Sequence, residues 1–307
     1  MKNKLVILIG SSGFLGKNLK QVLSKKIKCP NKNQLNLKKY NSVLNYLKRF
    51  NKVKNLIIIN CACHVGNVHY GSKYPADIIF DNSLMSLNLY KACSSLKNKV
   101  KIINPFANCS YPENSSIQKE ENWLTGKPHE SVLSYGSYKR FLYALSVAYF
   151  KQHGIKSINW MFGGGYGPYA SINEEKEHAL NGMIIRMIKS KRDKKDKFVV
   201  WGSGKPIREW VFIKDMANII KLSIDLDNLI YPVNFGQKKG YSIAQTAKII
   251  KNELRLNSKL VFDKSKKDGD KKKVLDNKNF KKIHPKFKFT SLKKGISQTI
   301  KYFEKAI

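Results

Sequence analysis

No stretch of this sequence is long and apolar enough to cross a membrane. The runs at residues 4–9 and 56–59 fall far short of the ~20 residues a spanning helix requires. The start, Met1-Lys2-Asn3-Lys4, leads straight into the first of these runs, so no signal peptide is expected. Five cysteines, Cys29, Cys61, Cys63, Cys93 and Cys109, have no spacing that suggests a disulfide framework, which fits a reducing cytoplasm. Cys61, Cys63 and His64 lie close together, but no second ligand pair follows at metal-site spacing, and no metal is expected. Acidic residues are scarce: 21 against 58 Lys and Arg, a formal net charge of +37. That charge raises nucleic acid as a partner. However, no zinc finger or aromatic-rich RNA-binding motif accompanies the lysines. They are dispersed, with local clusters at Lys189–Lys197 and Lys264–Lys273. A solvated basic surface without specific nucleic-acid binding is the expectation, and a positive field also suits dianionic nucleotide ligands.

What is present begins with Lys-Leu-Val-Ile-Leu-Ile at 4–9, a short, partly β-branched run typical of a buried parallel strand. Gly10-Ser11-Ser12-Gly13-Phe14-Leu15-Gly16 follows, then a helical pattern through Leu19, Val22 and Leu23. Gly10 allows a tight turn, Gly13 lets a pyrophosphate approach the backbone, and Gly16 lets helix pack close on strand. Ser12, Phe14 and Leu15 belong to the same loop and helix start.

Strand and helix patterns then alternate. Ile27-Lys28-Cys29 reads as a short second strand, 40–50 as a helix, 56–62 as a strand, 83–94 as a helix and 101–104 as a strand. The alternation predicts an α/β fold, a Rossmann-type doubly wound parallel sheet, with a smaller C-terminal α/β substrate domain. The expected division is a dinucleotide-binding domain over 1–165, rejoined by about 210–236, and a substrate domain over 166–209 and 237–307. After Cys29 the chain reads Pro30-Asn31-Lys32-Asn33-Gln34. No carboxylate is there for a ribose 2′-hydroxyl, and Lys32 is available for a 2′-phosphate, so NADP(H) is expected over NAD(H). Lys32 is equally readable as one more surface lysine.

Ser134-Tyr135-Gly136-Ser137-Tyr138-Lys139-Arg140 opens a later helical pattern. Tyr135 and Lys139 are four apart and share a helix face, which makes them a candidate acid/base pair. The ammonium is expected to lower the phenol pKa from about 10 toward working pH. Tyr138 should point elsewhere.

The glycine spacing of three and three, followed by Tyr-x-x-x-Lys, resembles the extended short-chain dehydrogenase/reductase family. Within it the chain is similar to the GDP-fucose synthases, NADPH-dependent epimerase/reductases of GDP-4-keto-6-deoxy-mannose. The resembling pieces are Cys63-His64-Val65-Gly66, Tyr74-Pro75-Ala76-Asp77, Asn108-Cys109-Ser110-Tyr111-Pro112, Tyr166-Gly167-Pro168 and the segment Val200 to Glu209. Phe262-Asp263, Lys267-Asp268-Gly269 and Leu275-Asp276 add to them. The most specific is Trp201-Gly202-Ser203-Gly204 with Arg208-Glu209.

The resemblance implies that Tyr135 protonates the C4 oxygen and that Lys139 holds the nicotinamide ribose. It places Ala62 against the cofactor. Cys109 and His178 take the roles of the second acid/base pair, which epimerises C3 and C5. Asn108, Trp201, Arg208 and Lys273 take substrate-binding roles, although Lys271 and Lys272 leave the register at Lys273 open. The product would be an activated sugar for a surface polysaccharide, made by a homodimer.

Two departures stand out. The family's Ser or Thr near the nicotinamide is Ala107 here, with Asn108 or Ser110 as possible substitutes. The family's Pro-Thr-Asn is replaced by Gly163-Gly164-Gly165, which is expected to open space beside the sugar, as for a heptose. Rival readings are a C4 reductase without epimerase activity, a nucleotide-sugar 4-epimerase retaining NAD, and a non-catalytic or nucleic-acid-binding Rossmann scaffold.

Overall fold

The apolar run at 4–9 forms strand β1 (Lys4–Ile9), and its neighbours in the sheet are built from the same kind of sequence. The computed structural model describes residues 4–23, 27–113, 115, 117–173, 176–266, 268 and 270–307. Met1, Lys2, Asn3, Lys267 and Gly269, which figure in the sequence reading, lie outside the described residues.

The chain forms two compact units: 1–110, 128–161 and 217–233 make the first, and 111–127, 162–216 and 234–307 the second. In the first unit β1 is followed by α1 (Phe14–Val22), α2 (Tyr40–Lys48), β2 (Asn55–Asn60), α3 (Val68–Lys73), α4 (Pro75–Ser94), β3 (Lys99–Ala107), α5 (Leu133–His153) and β4 (Lys156–Phe162). The next elements are β5 (Gly164–Tyr166), α6 (Ala179–Arg192), β6 (Lys197–Trp201), β7 (Ile207–Arg208), β8 (Trp210–Phe212), α7 (Ile213–Leu222) and β9 (Leu229–Phe235). The remainder is β10 (Tyr241–Ser242), α8 (Ile243–Leu254), β11 (Lys259–Asp263), β12 (Lys272–Lys273), α9 (Lys278–Ile283) and α10 (Leu292–Ala306).

The main sheet has the order β1-β2-β3-β4-β9, with β1, β2 and β3 parallel. Ile7, Leu8, Leu56, Ile58, Ile59, Ile102 and Ile103 are fully buried, as strands covered on both faces require. This is a Rossmann-type α/β fold. The expected second strand is a single bridge, Lys28 to Ile7, at the sheet edge. α4 begins eight residues earlier than the periodicity indicated. Pro75 sits in its first turn, where a missing N–H costs nothing, and Asp77 favours the positive end of the helix dipole.

The second unit is built from shorter pieces. β7 lies between β10 and β12, β6 pairs with β11, and β5 with β8. Phe162, Phe235, Phe280, Phe287 and Phe289 form an aromatic cluster, with ring centroids 4.8 Å apart for Phe235 and Phe289. The segment 111–127, expected with the first domain, belongs to this unit. Gln118 pairs with Leu275, and Glu120 accepts from Asn234 N at 3.1 Å.

Candidate active site

The loop after β1 is shaped by its glycines. Gly10 has φ +76°, and a Cβ there would lie 2.6 Å from Ala62 N. A Cβ on Gly16 would lie 2.1 Å from Gly10 O, so helix–strand contact excludes any larger residue. Gly13 differs: its Cβ would meet nothing closer than Gly10 O at 3.4 Å. The protein itself does not demand a glycine at that point, which leaves room for something approaching from outside. Gly13 caps α1, whose first turn carries no acidic residue, so its exposed N–H groups are suited to an anion. These features fit a dinucleotide pyrophosphate. Ser12, Phe14 and Leu15 line the same turn, and the Ala62 backbone closes it. Lys32 is exposed on a turn where Asn31 Oδ1 accepts from Asn33 N and Gln34 N, both at 3.0 Å.

The structure brings Tyr135, Lys139 and Cys109 into one neighbourhood. β3 ends at Ala107 and a tight helical turn carries Asn108, Cys109 and Ser110. That turn packs on α5 where Gly136 leaves out a side chain: a Cβ there would sit 3.1 Å from Cys109 O. Lys139 is 5% exposed and donates to Pro105 O at 2.8 Å. Its ammonium lies 5.3 Å from the Tyr135 ring centroid. Burial lowers the Lys139 pKa, opposed by the nearby thiols Cys63, Cys109 and Cys61. Burial likewise pushes the Cys61 thiol up to about 12.

The Tyr135 pKa moves opposite to the sequence expectation. Burial raises it well above the usual phenol value, and Cys63 and Cys109 add to the rise, so the Lys139 charge does not win. Tyr135 therefore holds its proton, the state a general acid needs. Tyr138 does turn away, its hydroxyl 3.0 Å from Ser86 Oγ. Ser110, a possible replacement for the missing Ser or Thr, is fully buried and its hydroxyl already donates to Ala107 O at 2.7 Å.

One contact had no signal in the sequence. Cys63 Sγ lies 3.5 Å from Tyr135 Oη and 3.1 Å from Asn82 Oδ1. Beside it, His64 has Nδ1 2.8 Å from Asp81 Oδ2 and Nε2 2.9 Å from Tyr70 Oη. Both ring nitrogens thus serve protein partners. Only the packing of α4 against the end of β2 reveals this network.

In the second unit His178 stands at the N-cap of α6. It is open to solvent, yet surrounding protein disfavours its charged form and lowers its pKa, so it is neutral at pH 7. Neighbouring Glu177 accepts from Arg186 Nη1 at 2.6 Å, and the Arg186 guanidinium lies 5.0 Å from the Trp201 ring centroid. Trp201 is 63% exposed, so it is a surface group and not core. Arg208 and Lys273 are direct partners in the parallel β7–β12 pairing. Arg208 donates to Asp270 O at 2.7 Å, and Lys273 Nζ is 2.5 Å from Asp270 Oδ2. Two cations side by side can receive a diphosphate.

Glu209 was quoted only as part of a motif. It is 2% exposed and its carboxylate accepts from Gln237 N, from Lys238 N at 2.9 Å and from Leu275 N at 2.8 Å. Burial pushes its pKa up to about 7, against these bonds. The expected opening at the glycine run is absent at Gly164: the Trp210 ring fills it, 2.9 Å from where a Cβ would be. Gly163 has ordinary room, with nothing nearer than 3.5 Å.

With the phosphate loop and the Tyr135–Lys139 pair in place, the class is defined. Residues 6–232 match the NAD dependent epimerase/dehydratase family, and the chain belongs to it. A GDP-L-fucose synthase of Dictyostelium discoideum is 26% identical over 309 residues, 98% of this chain and 95% of that one. A GDP-L-colitose synthase of Yersinia pseudotuberculosis is 26% identical over 97% of both chains. A GDP-L-fucose synthetase from Naegleria fowleri bound to NADP superposes with TM-score 0.87 at 25% identity, over 99% of this chain and 94% of that one. Among the described residues no helix is long and apolar enough to cross a membrane.

Proposed function

We propose that this protein is an NADPH-dependent reductase acting at C4 of a GDP-4-keto-6-deoxy sugar, with epimerisation at C3 and C5. The product is an activated sugar for a surface polysaccharide. The observation that carries the reading is the grouping of a protonated Tyr135, a buried Lys139 and Cys109 in a unit that also holds the phosphate loop. The full-length likeness to GDP-sugar synthases supports the substrate class. When bound, NADPH supplies the hydride. Gly10 to Gly16 and Ala62 hold its pyrophosphate side, Lys32 its 2′-phosphate, and Lys139 its nicotinamide ribose. Tyr135 donates its proton to the C4 oxygen. Arg208 and Lys273 take the GDP diphosphate, and Trp201 and Asn108 contact the rest of the substrate. The sugar is a hexose or a heptose: the Trp210 ring fills the space at Gly164, while Gly163 keeps ordinary room. Exposed Ile79, Phe80 and Leu87 on α4, with Phe141 and Phe150 on α5, support a homodimer, and the five free thiols support a cytoplasmic setting.

For epimerisation, Cys109 and neutral His178 are the acid/base pair that moves the protons beside the keto carbon. Ala107 lacks a donor and Ser110 is already bonded, which favours weak epimerisation as the second reading. Loss of one donor to an enolate oxygen costs about 10²–10³ in rate. The test is GDP-4-keto-6-deoxy-mannose in D₂O. With NADPH added, consumption of the cofactor checks the reductase. Without NADPH, slow deuterium uptake that disappears in Cys109→Ser supports epimerisation. Reduction without any uptake leaves a pure C4 reductase.

A further inference from the structure

Cys63 stands between two oxygens, Asn82 Oδ1 at 3.1 Å and Tyr135 Oη at 3.5 Å. A thiol has one hydrogen and serves one of them at a time. Asn82 decides the resting choice. It is 1% exposed, and its amide nitrogen donates to Ile78 O at 2.7 Å and His64 O at 2.8 Å. With the nitrogen facing two carbonyls, the oxygen is what faces Cys63. An amide oxygen accepts better than a neutral phenol, and it is nearer, so the thiol hydrogen rests on Asn82.

The choice reverses when Tyr135 gives up its proton. A bond to an ionised acceptor is roughly twice as strong as a neutral one. Asn82 Oδ1 also accepts from His64 N at 2.8 Å, so it keeps a partner when the thiol leaves. Ala107 offers no side-chain donor, and the Ser110 hydroxyl is already bonded. The titratable groups facing Tyr135 are Cys63 after β2, Cys109 after β3, and Lys139 and Tyr138 on α5, while Cys61 faces Lys139.

We propose that Cys63 is a positioning residue whose thiol hydrogen swings from Asn82 to Tyr135 as Tyr135 protonates the C4 oxygen. The inference rests on the reductase reading above. The O–H bond of Tyr135 breaks, its proton goes to the C4 oxygen, and the electron pair stays on the phenolate. The S–H bond of Cys63 is kept throughout.

The test compares wild type, Cys63→Ala and Cys63→Ser, using NADPH and GDP-4-keto-6-deoxy-mannose. Cys63→Ala should lower kcat about tenfold with KM unchanged, since a bond to a charged group in the reacting state is lost. Cys63→Ser keeps a donor and should recover most of the rate. A Cys63→Ala enzyme with wild-type kcat, or a Cys63→Ser enzyme no better than Cys63→Ala, overturns the proposal. A second arm needs no sugar: the ¹³Cζ resonance of Tyr135, assigned by its absence in Tyr135→Phe, should shift in Cys63→Ala. An unmoved resonance also overturns it. Wild type that leaves the GDP-sugar untouched instead refutes the reductase reading, and the resonance still reports on the contact.

Discussion

The two units solve the same problem, holding polar groups away from water, in opposite ways. The first relies on long aliphatic strands whose backbone groups pair in register, and its buried charge, Lys139, is an isolated cation bonded to a carbonyl. The second has two- and three-residue strands, a phenylalanine cluster and a buried carboxylate that collects main-chain N–H groups from two other segments. Regular strands satisfy their own backbone; short ones need a side chain to do it. Hence the first unit is suited to rigid chemistry, and the second to varied ligand-holding loops.

The comparison breaks most sharply at Tyr135. Tyr135→Phe removes the proton donor from the regular unit without touching its framework. It should lower hydride transfer by about 10²–10⁴ and leave NADPH binding and thermal stability unchanged. Stopped-flow reduction and cofactor titration check both. A variant with near-normal turnover would move the chemistry elsewhere.

Glu209 tests the other side. Glu209→Gln should destabilise the protein by about 3 kcal/mol at pH 5, because the amide nitrogen faces a main-chain donor that then has no acceptor. The pH dependence has a definite sign. Its folded pKa, about 7, lies above its ordinary value of 4.5, so the folded state binds the proton more tightly. Its contribution is therefore fully present below about pH 4.5 and is lost as pH rises through about 7. Urea titrations across that range should show this slope in wild type and not in Glu209→Gln.

The same contrast explains what the sequence disclosed. Gly10, Gly13, Gly16, Tyr135 and Lys139 were legible because a strand, a turn and a helix fix local spacing. The direction of the Tyr135 pKa was not, since it depends on how much protein surrounds the ring, and spacing shows only that Lys139 is near. The Cys63 contact was not legible because its partner Asn82 is nineteen residues away on α4. Gly164 read as open space because the Trp210 ring that fills it comes from the neighbouring strand. In the second unit the pairing of Lys273 with Arg208 is a register between strands 65 positions apart, beyond any local pattern.

That pairing makes a third, smaller prediction. Arg208→Ala should raise KM for the GDP-sugar about tenfold to a hundredfold with kcat little changed, as expected for lost charged hydrogen bonds to a diphosphate. Arg208→Lys should recover only part of this, since the planar fork is gone. Lys273→Ala should show the weaker effect of the two, because its ammonium is shared with Asp270 at 2.5 Å. An unchanged KM in Arg208→Ala would remove the diphosphate from this strand pair.

The smallest effect belongs to the first unit, at a turn where the ligand contact is expected from an exposed lysine. Lys32 is exposed, and an exposed ion pair contributes about 0.2–1 kcal/mol, so Lys32→Ala should weaken NADPH only about two- to fivefold. The stronger determinant is the carboxylate that is absent. Asn31→Asp tests that cleanly, because the new carboxylate can keep accepting from Asn33 N and Gln34 N, and the turn survives. Its added charge repels a 2′-phosphate and offers a ribose 2′-hydroxyl an acceptor. Asn31→Asp should therefore weaken NADPH more than Lys32→Ala does and strengthen NADH, with both affinities read by fluorescence titration. If NADH binds more tightly than NADPH in the wild type, and neither substitution alters either affinity, the cofactor preference does not reside in this turn.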